Sequence, residues 1–152
     1  MAAGAGEVLA DREVSPTMAL GASRESVRVR TEDEVVVLVN VERARQGLAA
    51  LRTDERLRRA ARGHSADMAR RGFFAHRGPR GSSPFDRMLA EGVENPAGEN
   101  IAAGQRTPAA VVRGWMESVP HRRNILRAEF RTIGVGLHVA EDFPWWTQNF
   151  GI

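Results

Sequence analysis

Four histidines and one glutamate are the residues of this chain whose type and placement could carry chemistry. His76 closes the run Gly72-Phe73-Phe74-Ala75-His76, and a loop rich in Gly, Pro and Ser follows it. A loop histidine beside a rigid element is a common functional position, because the scaffold fixes what the loop presents. The two phenylalanines are expected to anchor that turn in the core and aim the imidazole. His121 sits in Ser118-Val119-Pro120-His121-Arg122-Arg123-Asn124, at an expected break after a helix. Glu99 stands in Gly98-Glu99-Asn100-Ile101, a carboxylate among Ala97, Ile101, Ala102 and Ala103. Buried, it needs a partner. That partner is either one of the many arginines or a histidine across a cavity, as a shared proton site or a metal-ligand set. His64 falls on the apolar stripe of a helix and reads as a satisfied core residue; His138 reads as a rim residue near a strand end.

Absent residues narrow the chemistry further. The 152-residue chain has no Cys and no Tyr, and all 22 of its basic residues are Arg. Disulfides, thiolate metal sites and cysteine nucleophiles are excluded, as are a Walker-A lysine and Schiff-base chemistry. No His-Glu-x-x-His or Gly-x-Ser-x-Gly occurs, and Gly134-Val135-Gly136 lacks the third glycine of a dinucleotide loop. Reactive groups must therefore converge from separate segments.

The elements that would bring them together are legible in outline. Thr31-Glu32-Asp33-Glu34 reads as a capping box that starts a helix through Val35–Val41 to a stop at Gly47. A second helix starts near Thr53, buries Leu57, Ala60, Ala61, His64 and Met68, and ends at Gly72. Short helices are expected from Ser83-Pro84 to Gly92 and from Thr107-Pro108, the latter burying Val111 and Trp115. Alternation over Thr132–Val139 and Trp145–Phe150 predicts an antiparallel hairpin, and a further strand is expected over Gly98–Ala102. Residues 1–30 read as a mobile leader and 31–152 as one domain.

Charge is a weaker guide than it looks. A pI of about 11.0 accompanies a net charge of only +3. Without Lys, Tyr or Cys, little titrates between His and Arg, so a small excess moves the neutral point far up. Locally, residues 43–80 carry eleven Arg against Asp54, Glu55 and Asp67, whereas residues 1–34 carry four Arg against seven acids. The Arg-rich second helix is thus the candidate for an anionic surface or nucleic acid. A solvated helix face is the plainer reading, and nine aromatics in mostly core positions leave no platform for stacking bases.

Taken in order, the segments His64-Ser65-Ala66-Asp67-Met68, Gly72-Phe73-Phe74-Ala75-His76, Gly98-Glu99-Asn100-Ile101-Ala102, Trp115-Met116-Glu117-Ser118, His121-Arg122-Arg123-Asn124-Ile125-Leu126, Gly134-Val135-Gly136 and Trp146-Thr147-Gln148-Asn149-Phe150-Gly151 form a recognisable set. From about Val35 to Gly151 it resembles the bacterial branch of the CAP superfamily, the cysteine-rich secretory, antigen 5 and pathogenesis-related-like (SCP) domains. The resemblance implies an α+β fold, a three-layer α-β-α sandwich with a small, mainly antiparallel central sheet and a cleft. It implies His76 as the first cleft histidine and Glu99 as the cleft glutamate. Animal and plant members complete a two-His, two-Glu cleft that can hold a divalent metal. Their second glutamate falls at Ser118 here, with Glu117 one residue early, and their second histidine falls at Trp145. His121, from the bacterial His-Arg-x-Asn-Ile-Leu motif, is expected to take the missing histidine's place.

Three functions follow as expectations. The first is a monomeric, secreted or cell-envelope-associated module, binding a small amphiphile or cell-wall component in a cleft lined by His76, Glu99 and His121. The second is a metal-assisted hydrolase or peptidase, with His76 and His121 on zinc or another divalent metal and Glu99 as third ligand or general base. Nucleic-acid binding through Arg58 and Arg59 is the third. An extracellular or cell-surface location is implied by the resemblance alone. Met1–Ala10 shows no basic signal-peptide start, and no stretch nears the roughly 18 apolar residues of a membrane span.

Overall fold

A 30-residue helix, α1 (Pro16–Arg45), opens the part of the chain that the computed structural model describes, residues 16–152. It runs through Thr31-Glu32-Asp33-Glu34, where the sequence predicts a helix start. Thr31 donates its hydroxyl one turn back to Val27 O at 2.8 Å, and Glu32 is buried against the Arg62 guanidinium at 2.6 Å. These acids receive arginines of the next helix; they are not first-turn acids, and a local pattern does not separate the two uses. The predicted boundary at residue 31 therefore falls inside α1, while residues 1–15 of the expected leader lie outside the described residues.

The rest follows the expected order with two additions. After the two-residue strand β1 (Arg52–Thr53), Asp54 caps α2 (Glu55–Arg71) by accepting from Arg56 N–H at 2.8 Å. Gly72, at φ 66°, ends α2 in the left-handed conformation that glycine adopts without strain. Then come α3 (Pro84–Ala90), β2 (Pro96–Ala103), α4 (Pro108–Met116), α5 (Val119–Ile125), β3 (Thr132–Ala140) and β4 (Phe143–Gly151). Strand β1 and helix α5 are the additions. His121 thus stands in the first turn of a helix rather than at a break.

The sheet has the order β1-β3-β4-β2, and only β1 and β3 run parallel. A two-residue turn at Glu141 and Asp142, both at positive φ, joins β3 to β4. Helix α2 lies on one face; α1, α4 and α5 cover the other, over a core of Trp115, Trp146, Phe150, Ile133 and Val135. This is the three-layer α-β-α arrangement. Glycine sets the α2 layer: a Cβ at Gly134 would lie 2.2 Å from Arg58 N, and one at Gly136 would lie 2.1 Å from Arg62 N. Arg43 fastens the opposite layer from within. Fully buried, it donates to Ala49 O, Ile125 O and Arg127 O at 2.8–2.9 Å, joining the end of α1 to the end of α5.

Candidate functional site

Glu99 projects from β2 toward the α2 side, and its side chain is 1% exposed. Both partners that the sequence allows are present. His76 Nδ1 donates to Oε1 at 2.9 Å, and the Arg87 guanidinium on α3 meets Oε1 at 3.2 Å and Oε2 at 2.9 Å. With its amide nitrogen turned to Glu99, Asn149 donates to Oε2 at 3.1 Å and accepts from Ala61 N–H at 3.2 Å. Arg87 also donates to the His76 carbonyl at 2.7 Å, so one guanidinium fixes both the carboxylate and the loop that carries the imidazole. Arg87 was invisible as a site residue in the sequence. Its signal would have been the one arginine of α3, a helix that follows the His76 loop directly.

His64 fixes the same loop from below. Its Nε2 lies 2.8 Å from Ala75 O, and a carbonyl only accepts, so Nε2 carries the proton. Burial holds its pKa below the usual histidine value, which keeps the ring neutral. It is the core histidine that the sequence suggests, but one that positions His76. Phe73 packs edge-on against it, centroids 5.8 Å apart. The second ring does not anchor the turn: Phe74 is 56% exposed and borders a cleft. Since Glu99 accepts from Nδ1, Nε2 is the ring nitrogen left without a partner in the site, on a half-exposed side chain.

His121 approaches from the other side of β2. Its Nδ1 is 2.9 Å from Ser118 Oγ, and its pKa is lowered by burial first and by the charge of His76 second. The backbone of that turn is tied to the sheet, because Asn100 Nδ2 donates to His121 O at 3.1 Å and to Gln148 Oε1 at 3.0 Å. Asn124 completes the network by donating to Asn100 Oδ1 at 2.9 Å. The structure thus joins His76 to Glu99 directly and brings His121 within electrostatic reach. No hydrogen bond links His121 to either one among the described residues.

Beside His121 lies a cleft of about 380 Å³. Phe74, Val111 and Trp115 supply apolar surface, Gln105, Ser118 and His121 supply polar groups, and Ile101–Ala103 of β2 form one wall. A second groove, about 560 Å³, runs between α1 and the end of β3 and holds only His138 of the histidines. Glu117 is exposed on the far side of the Trp115 turn, and Trp145 packs edge-on against Phe143, centroids 5.3 Å apart.

The structure does not gather His76, Glu99 and His121 into one cluster: both Glu99 oxygens are engaged, and a guanidinium stands beside them. Among the described residues no three His, Cys, Asp or Glu side chains are grouped to hold a metal. Nor is α2 a free basic face. Arg56 pairs with Asp54 at 2.7 Å, Arg58 with Asp33 at 2.9 Å, Arg59 with Glu91 at 3.1 Å, Arg62 with Glu32, and Arg71 with Asp67 at 2.8 Å. Asp33 and Glu32 of α1 thus meet two of the six α2 arginines across the helix pair.

The fold and site sit within the region that the chain's relatives share. A profile of the Cysteine-rich secretory protein family (CAP) matches residues 36–150. The chain is 48% identical over 120 residues to the Bacillus subtilis protein YkwD, covering 78% of this chain and 46% of that one. An extracellular protein containing a SCP domain from Bacillus anthracis superposes with a TM-score of 0.77 at 31% identity, over 93% of this chain and 45% of that one. An outer surface protein of Borrelia burgdorferi shares the fold, with a TM-score of 0.72 at 19% identity, over 80% of this chain and 93% of that one. The chain spans less than half the length of its two Bacillus relatives. With the family profile covering residues 36–150 and the three-layer fold in agreement, this cysteine-free chain belongs to the Cysteine-rich secretory protein (CAP) family.

Proposed function

We propose that the chain is a binding module of the cell envelope or exterior. It holds the apolar part of a small amphiphilic or cell-wall ligand in the cleft beside α4 and α5, with the polar part against His76 and His121. The observation that carries this reading is the cleft: apolar walls, a few convergent polar groups, and a nearby carboxylate already paired with Arg87. Small-ligand sites usually have this form. Its relatives support the location, one being described as extracellular and one as an outer surface protein. No helix among the described residues is long and apolar enough to cross a membrane.

Gly114 offers a clean test. It lines the cleft from α4, and a Cβ there would come no nearer than 3.9 Å to Gln105 Nε2. Gly114→Leu fills the cleft while improving helix propensity by about 0.7 kcal/mol. Tryptophan fluorescence titrated with a myristoyl lysophospholipid should saturate in the wild type and stay flat in Gly114→Leu, with Tm unchanged or raised. Equally tight saturation of both proteins would remove the cleft from the account. The metal-assisted reading is separated by calorimetry: saturable zinc heats that vanish in His76→Ala would replace ligand binding with zinc chemistry.

A further inference from the structure

Strand β2 is the edge of the sheet, and its free side is the wall of the cleft. Gly104 N–H donates to Pro144 O at 2.8 Å, which fixes the alternation of the antiparallel ladder. Even-numbered residues of β2 turn their backbone groups to β4, and Glu99, Ile101 and Ala103 turn theirs outward. Two outward carbonyls confirm this, since Glu99 O accepts from Asn124 Nδ2 at 3.2 Å and Ile101 O from Trp115 Nε1 at 3.1 Å. Beyond them the edge is open. The N–H groups of Ile101 and Ala103 and the carbonyl of Ala103 have no hydrogen-bond partner among the described residues. Gln105 Oε1, in the same cleft, is a buried acceptor without a partner.

Two donors and two acceptors along one wall thus have no partner within the described protein, and ligands differ in how they answer this. A hydrocarbon chain would leave all of them unpaired, at a cost of desolvation. An anionic head would use the donors and repel the acceptors. A chain of secondary amides supplies both, at the spacing of alternate strand residues. We propose that the cleft takes an extended peptide, added to β2 as a short fifth strand at Ile101–Ala103, with one of its side chains entering the space over Val111 and Trp115. Edge-strand addition of this kind draws its affinity from main-chain hydrogen bonds and its selectivity from the pocket beside them. Asn124 and Trp115 close the edge on the Glu99 side, so the added strand is confined to the Ala103 end. This inference rests on the cleft being a ligand site and names the class of ligand.

The experiment compares two probes on the full chain by amide NMR. One is a pool of acetylated, amidated pentapeptides with alternate positions randomised; the other is the myristoyl lysophospholipid. The peptide pool should move the Ile101 and Ala103 amide protons downfield and slow their exchange. A matched pool N-methylated at alternate amides should not. Ala103→Pro removes an outward N–H that the ladder does not use, a place where an edge strand tolerates proline. It should weaken peptide binding roughly fivefold, the worth of one hydrogen bond. Binding of the N-methylated pool as tightly as the parent pool overturns strand addition without needing any variant to fold. Lysophospholipid binding with no response to peptides overturns the inference and leaves the cleft reading standing. Silence of every cleft resonance to both probes overturns both.

Discussion

Arg87 determines what Glu99 can do. A buried carboxylate shared by a half-exposed histidine and a guanidinium is an orienting group: it fixes the His76 tautomer and leaves Nε2 as the reactive edge. Both of its oxygens already accept from these partners. Arg87→Met would strand the carboxylate without its cation and release the His76 carbonyl. A loss of about 3 kcal/mol in urea unfolding is expected, typical of breaking one half of a buried pair. The double variant Arg87→Met with Glu99→Gln should recover much of that loss, because no unpaired charge is left behind. If the single and double variants unfold alike, the pairing contributes nothing and the loop is held by other contacts.

Among the elements, α2 is the most constrained, since it touches the sheet backbone to backbone over two glycines of β3. Gly136→Ala would place a methyl 2.1 Å from Arg62 N, where only movement of the helix or strand makes room. A cost of about 3 kcal/mol, the upper range for overpacking, is expected in denaturant melts. Cleft geometry should suffer with it, because α2 carries His64. Much of this layer was legible: Gly72, the Leu57–Met68 stripe and the alternation of β3 and β4 are local signals with local causes. The start of α1 was not, because Thr31-Glu32-Asp33-Glu34 satisfies a capping rule that its partners on α2 override. Helix α5 was missed for a related reason, since Pro120 reads equally as a break or as a helix's first turn. Within the site, His76 and Glu99 were singled out from sequence together with His121, with the partner of Glu99 left open between an arginine and a histidine. Arg87 was not, because one arginine among 22 carries no mark of the carboxylate it will meet.

At the scale of the whole molecule, opposite charges bind the first two helices. Glu32 is buried beneath Arg62; burial pushes its carboxyl up, and the Arg62 hydrogen bond pulls it back down. Arg62→Met removes the restraint, at an expected cost of about 3 kcal/mol near neutral pH. The sign of the pH dependence follows from the raised value. An acid whose folded pKa exceeds its unfolded one stabilises below the unfolded value of 4.5 and loses that contribution as pH rises through the folded value. The variant should therefore lie closer to wild type near about pH 5 than near about pH 8, and thermal melts across that range check it. With Arg58–Asp33, this pairing draws two of the six α2 arginines toward α1. On the other layer, Arg43 holds the far end of the helix whose first turn carries His121. Its bond to Ile125 O lies inside the protein, so that wall of the cleft cannot shift without breaking a contact that water does not reach. A wall stiffened at a distance is already ordered before anything enters, and an incoming molecule is spared the entropy of arranging it.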